Sequence, residues 1–207
     1  MKFSLPSQIL IATNNKGKFV EIESLLNQIN IKAIPTFQFN IEEPEETGLT
    51  FAANSLLKAK YYANKTGLVA LADDSGLCVE ALNNEPGIYS ARFAKNAEGK
   101  NDFNFAFEKI FTELKKINAE KNPRAHFICN LTIFDPKTNF DISFEGRVDG
   151  VFTFPPRGNK GFGYDPIFIK DGMSQTFGEI DPELKDRISH RGEAFQKMVN
   201  WLQNHGL

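Results

Sequence analysis

From Leu68 to Leu82 the chain is apolar strand material broken by two adjacent carboxylates, Asp73 and Asp74, which Ser75 and Gly76 follow. Carboxylates next to buried strand are costly unless something positive pairs with them. Any fold for this chain must therefore bring cations, or a metal, to the middle of this stretch. The pattern predicts strands over Leu68 to Ala72 and Leu77 to Leu82, flanking a turn at Asp73-Asp74. A divalent metal carrying a polyphosphate would suit such a turn.

The surrounding segments have clear periods. Gln8 to Ala12 reads as a buried strand. Thr13 to Gly17 is polar, and Phe19, Ile22, Leu25, Leu26 and Ile29 then share one helical face. Ile31 to Ile34 is a second apolar run. Thr50 suits an N-cap for a helix over Phe51 to Lys65, and Gly67 its stop. A further helix is predicted from Asp102 to Asn118. The period then changes to two. Phe127, Cys129, Leu131 and Ile133 alternate with polar neighbours, as do Phe140, Ile142 and Phe144 after the turn residues 135–139, which predicts a β-hairpin. A last helix starts near His190. Early helix–strand alternation with a late hairpin points to an α/β fold built on a mixed sheet.

Composition excludes several classes. The 207 residues suit one large domain or two small lobes, and twenty Phe predict an aromatic core. A net charge of −2 argues against nonspecific nucleic-acid binding. Cys78 and Cys129 lie in apolar runs outside any CxxC pair, so they read as free thiols in a reducing compartment. With neither a leader segment nor a membrane-length run, the chain is expected to be cytoplasmic and soluble.

Individual motifs fail familiar tests. Residues 12–19, ATNNKGKF, superficially resemble a P-loop, but Ala12 stands at the first glycine and Phe19 at the hydroxyl position. The loop still places Lys16 and Lys18 at a helix start, where an unpaired cation opposes the dipole and suggests an anion. Residues 161–166, GFGYDP, put Pro166 at the third glycine of a dinucleotide motif. Its glycines suit close approach to a ligand, with Phe162 or Tyr164 as a stacking wall. Ser189 and His190 are adjacent and do not face each other, so a Ser–His nucleophile is not expected. Three scattered histidines lack zinc-ligand spacing. The carboxylates Glu42, Glu43, Glu45, Glu46, Asp73 and Asp74 are hard oxygen ligands, which favours Mg²⁺.

Five segments taken together, ATNNKGKFVEI, EETGLTFAANSLLKA, ADDSGL…PGIYSARF, GFGYDPIF and ISHRGEA, resemble the inosine triphosphate pyrophosphatase (ITPase, RdgB-type) family of dITP/XTP pyrophosphatases. They occur in the family's order and span residues 12–194. The resemblance implies a single ITPase-like domain over 1–207, with a long mixed sheet, flanking helices and two lobes around a central cleft. It implies hydrolysis of ITP, dITP or XTP to the monophosphate and pyrophosphate with Mg²⁺, by a homodimer that binds neither nucleic acid nor membrane. Thr13, Asn14, Asn15, Lys16, Gly17 and Lys18 match the triphosphate loop. Glu45 and Asp74 match the metal carboxylates, with Glu46 a neighbouring candidate. Asp74 also matches the general base, Lys58 a lysine near the phosphates and Ser75 a ligand contact. Phe162, Gly163, Tyr164 and Asp165 match the base-pocket segment, and Lys185, His190 and Arg191 the purine-recognising residues. Two positions depart from the family pattern: Asn14 replaces Gly, and Ala53-Asn54-Ser55 replaces Glu-Asn-Ala. A Maf-type pyrophosphatase for pyrimidine or modified nucleotides, or a non-catalytic nucleotide-binding module, are the alternatives.

Overall fold

The computed structural model describes residues 5–205. The first four residues, part of the stretch read for a leader segment, lie outside them, as do 206 and 207. The elements in order are β1 (Gln8–Ile11), α1 (Lys16–Asn27), β2 (Lys32–Pro35), α2 (Phe51–Thr66), β3 (Ala70–Val79), β4 (Glu85–Pro86), α3 (Ser90–Phe93), α4 (Phe103–Lys116), β5 (Arg124–Asp135), β6 (Phe140–Phe152), β7 (Phe168–Lys170), α5 (Pro182–Ile188) and α6 (His190–Asn204). The strands form one mixed sheet in the order β2-β1-β3-β5-β6-β7, with β4 paired to β3. β1 runs parallel to β2 and to β3, whereas β4 and β7 pair antiparallel with β3 and β6.

The chain divides into two compact units. One holds the residues up to Asp74, Cys129–Gly146 and those from His190 on; the other holds Ser75–Ile128 and Arg147–Ser189. In the first unit β1 is buried on both faces. Ile9 and Ile11 join Ile22, Leu26, Leu131 and Met198 on one side, while Leu10 and Ala12 meet Tyr62, Ala63 and Phe134 on the other. Burial on both faces explains why this short strand is uniformly apolar. The second unit holds the aromatic core that the Phe count predicts: the Phe127 and Phe168 rings lie 4.7 Å apart, and Phe111 stacks on Phe154 at 4.2 Å.

The predicted caps of α2 are present. Thr50 accepts a hydrogen bond from the Ala53 N–H, and Gly67 takes a left-handed φ of 72°. Three expectations need correction. First, Asp73 and Asp74 form no turn; β3 runs straight through them. Lys18 and Arg191 neutralise Asp73, and Lys58 pairs with Asp74, so both carboxylates have a cation within the sheet. Gly76 is a glycine for a different reason: a Cβ on it would lie 2.2 Å from the Gly87 carbonyl oxygen. Second, β5 is not half-solvated. His126, Asn130 and Thr132 are buried along with its apolar residues. Asn130 and Thr132 are satisfied there by Ser55, whose Oγ lies 2.8 Å from Asn130 Oδ1 and 2.6 Å from Thr132 Oγ1. Third, β4, β7 and α5 have no counterpart in the sequence reading, being too short to carry a period.

Candidate active site

The polar loop after β1 is built by local hydrogen bonds. Asn15 caps α1 by accepting from the Lys18 N–H at 3.1 Å, and the Asn15 N–H donates to Thr13 Oγ1 at 3.1 Å. Thr36 Oγ1 lies 2.7 Å from the Thr13 carbonyl oxygen and 2.8 Å from Asn14 Oδ1, tying the loop to the end of β2. Asn14 does not take a positive φ, so this loop needs no glycine there. The departure at Asn14 is thus accommodated by a side-chain contact. Lys16 is exposed.

Lys18 is not an unpaired cation. Its Nζ lies 2.5 Å from Asp73 Oδ1, and Arg191 Nε donates to Asp73 Oδ2 at 2.9 Å. Arg191 also pairs with Glu21, and the Cys129 thiol donates to Asp73 at 3.0 Å. Asp73 is 0% and Arg191 2% exposed. Burial opposes the Asp73 charge, but Arg191 and Lys18 outweigh it and hold the carboxyl well below the usual range. The same burial, with the Asp73 charge, pushes the Cys129 thiol well up. Asp73 and Arg191 are thus a buried, mutually neutralising pair that fixes the start of α6 against β3. Gly146 lets α6 come close, since a Cβ there would lie 2.0 Å from the His190 carbonyl oxygen. His190, the first residue of α6, is itself buried.

One residue along the strand, Asp74 points to the opposite face. Its Oδ1 lies 3.1 Å from Lys58 Nζ, which also pairs with Glu46 Oε1 at 2.7 Å. Asp74 Oδ2 is buried and has no hydrogen-bond partner. Burial pushes the Asp74 carboxyl above its ordinary value, with Lys58 and Lys18 opposing and Glu46 and Asp73 adding to the rise. Lys58 itself is held above its ordinary value, because Asp74 and Glu46 outweigh the effect of burial. Glu46 thus comes to Asp74 through a shared lysine, whereas Glu45 is exposed. The loop carrying both is pinned by Asn54, whose Oδ1 accepts from the Gly48 N–H at 2.8 Å. A Cβ on Gly48 would lie 2.6 Å from that oxygen, which explains the glycine. Ala53 is exposed on the first turn of α2, and Ser55 faces the buried Asn130 and Thr132.

A separate group forms in the second unit. Asp165 Oδ2 accepts from the Phe162 N–H at 2.7 Å and pairs with Lys185 Nζ at 2.5 Å, and both charged side chains are buried. The Lys185 ammonium lies 4.8 Å from the Phe162 ring centroid. Gly161 and Gly163 take φ of 70° and 63°, and a Cβ on Gly161 would lie 2.1 Å from Asp165 Oδ2. Of the two rings in this loop, Tyr164 is buried against Phe103 and Phe107, with its hydroxyl on the Ser90 carbonyl at 2.8 Å. Phe162, by contrast, keeps partial exposure. Ser75 is the first residue of this unit and is partly buried.

Sequence reading missed Glu21, Thr36, Asn54 and Cys129. Glu21 and Asn54 lie inside matching segments that gave them no role, Thr36 and Cys129 lie outside them, and each acts by holding another segment residue in place.

The model of the Ham1 family matches residues 9–201. A dITP/XTP pyrophosphatase of Zymomonas mobilis is 47% identical over 94% of this chain and 91% of its own length. One of Rhodospirillum centenum is 45% identical over 92% of each chain. Among solved structures, a HAM1 protein from Coxiella burnetii superposes with a TM-score of 0.83 at 37% identity, covering 95% of this chain and 98% of that one. The chain belongs to the Ham1 family.

Proposed function

We propose that this protein hydrolyses deaminated purine nucleoside triphosphates (dITP, ITP and XTP) to the monophosphate and pyrophosphate, clearing them from the nucleotide pool. Names of close relatives support the substrate class. The observation that carries the chemistry is Asp74, a buried carboxylate with one oxygen on Lys58 and the other without a partner. That oxygen and the Glu46 carboxylate, which share Lys58 as their cation, are hard oxygen ligands that suit Mg²⁺. Asp74 and Glu46 would hold the ion, and Glu45, exposed on the same loop, is the further candidate. Bound Mg²⁺ spreads the charge that develops on the triphosphate.

In this reading a water attacks the α-phosphorus. The bond from that phosphorus to the bridging oxygen breaks, and pyrophosphate leaves with its electron pair. Asp74 takes the water's proton; its raised pKa makes it a better base than an exposed aspartate. Lys58 and Lys16 neutralise phosphate oxygens, and Thr13, Asn14, Asn15 and Gly17 offer loop donors. Lys18 is oriented by Asp73. Phe162 stacks on the base, while Gly163, Tyr164 and Asp165 shape its loop and Asp165 holds Lys185. Ser75, Lys185 and His190 would take the remaining ligand contacts, with a donor facing the 6-oxo group that adenine lacks, and Arg191, held by Asp73 and Glu21, would position the helix start that presents His190. A buried donor left unpaired by the wrong base discriminates strongly.

Two buried free cysteines and the absence, among the described residues, of any helix long and apolar enough to cross a membrane accord with cytoplasmic work. We read the active form as a homodimer, which sedimentation would test. The test of function is pyrophosphate release from dITP with Mg²⁺, its loss on chelation, and little release from dATP or dGTP. Equal kcat/KM for dGTP and dITP would overturn the substrate assignment.

A further inference from the structure

We infer that the second unit carries a site for a divalent transition-metal ion of the Zn²⁺ class, built from Glu80, His126 and Asp149. Their ligand atoms all lie within 4.8 Å of one another. Glu80 follows the end of β3, His126 lies on β5 and Asp149 on β6, so the group joins two neighbouring strands to the chain leaving a third. Sequence spacing could not show it, because only one of its residues is a histidine and the three are far apart in the chain.

His126 supplies the independent sign of a ligand. The residue is 4% exposed, and its Nδ1 is buried without a hydrogen-bond partner. That nitrogen lies 3.7 Å from Glu80 Oε1, too far for a hydrogen bond. A metal with bonds of about 2.0–2.2 Å spaces its ligands at about 3.4 Å. The pair therefore stands near the separation that a shared ion would set. Buried polar atoms are almost always satisfied, so an orphan nitrogen beside Glu80, in a group that also holds Asp149, marks a place for a cation.

Arg147 stands there now. Its Nε and terminal nitrogen reach Asp149 Oδ1 at 3.0 and 2.7 Å, and the latter nitrogen lies 3.9 Å from Glu80. Its side chain is 46% exposed and can swing into solvent, so giving up this pair costs little. Arg147 thus serves as the counter-ion of the metal-free site and competes with the metal. Arg124 does not compete, being forked onto Asp171 at 2.6 and 2.8 Å. One imidazole and two carboxylates suit Zn²⁺ or Co²⁺ and disfavour Mg²⁺, which prefers an all-oxygen shell. The ion would clip β5 and β6 to the chain leaving β3, stabilising the second unit.

The test is calorimetric titration of the chelator-stripped full chain with Zn²⁺, in saturating Mg²⁺ so that all-oxygen sites are filled. We expect one Zn²⁺ equivalent. Glu80→Gln, an exposed and conservative change, and His126→Gln should each weaken it at least tenfold, while Arg147→Ala should tighten it several-fold. No Zn²⁺ uptake by the wild type, unchanged affinity in Glu80→Gln and His126→Gln, or weaker binding in Arg147→Ala would overturn the assignment. Glu80→Gln keeps the core intact, so misfolding cannot account for its result.

Discussion

Asp73 faces Arg191, Lys18 and the Cys129 thiol, whereas Asp74, one residue on and turned to the opposite face, shares a single lysine with Glu46 and leaves one oxygen without a partner. Two chemically identical neighbours are thus shifted in opposite directions. The surplus of cations holds the Asp73 carboxyl below its ordinary value; burial, only partly offset by Lys58 and Lys18, raises that of Asp74. A carboxylate with every oxygen paired is a structural element. One with an unsatisfied oxygen in a dry environment has capacity left for a metal or a proton. The difference separates the group that holds the frame together from the group available for chemistry.

The comparison can be broken first at Asp73. Asp73→Asn removes the carboxylate charge that Arg191 and Lys18 share, and losing one partner of a buried pair costs about 3–5 kcal/mol. Urea unfolding measures it, and a loss below about 1 kcal/mol would mean that Asp73 is not structural. The pH dependence follows in sign. A depressed native pKa contributes stability above the unfolded value of about 3.9, and that stability is lost as pH falls through the lower native value. Wild-type stability should therefore decline in acid, and Asp73→Asn should flatten that decline.

Metal comes next in size. Mg²⁺ at a hundred times its dissociation constant should stabilise the wild type by about 2.7 kcal/mol. Asp74→Asn should abolish most of that gain in a thermal scan, and a full gain in the variant would place the ion elsewhere. The smallest effect is on the metal-free protein. A raised native pKa means that ionised Asp74 costs stability once pH exceeds that value, so the ionised carboxylate is a liability at neutral pH. Asp74→Asn, with Glu46 still pairing Lys58, should hold or gain stability, by about 0.5–2 kcal/mol. A large loss instead would make Asp74 a second Asp73.

The sequence makes the local elements readable. Thr50 and Gly67 bracket α2 because caps are nearest-neighbour chemistry, and the period-two residues of β5 and β6 declare a hairpin. What it hides is distant partnership. Asp73-Asp74-Ser75-Gly76 looks like a turn from its own residues, yet it is strand, with Asp73 neutralised by Lys18 and by Arg191, 118 positions on. Lys18 looks like a free anion-binding cation for the same reason. Glu45 and Glu46 are equivalent in a list of acidic residues, and only the fold brings Glu46 to Lys58. Phe162 and Tyr164 are likewise equal candidates until the packing buries one of them.

The account turns on the division of labour between the two aspartates, and turnover of Asp74→Asn tests it most directly. With folding verified by its thermal transition, the variant's kcat for pyrophosphate release from dITP at saturating Mg²⁺ should fall by about 10²–10⁴-fold, the usual contribution of a positioned base. Substrate binding should be largely retained. Near wild-type turnover in a well-folded Asp74→Asn protein would contradict the account, and would move the reactive carboxylate to Glu46 or Glu45.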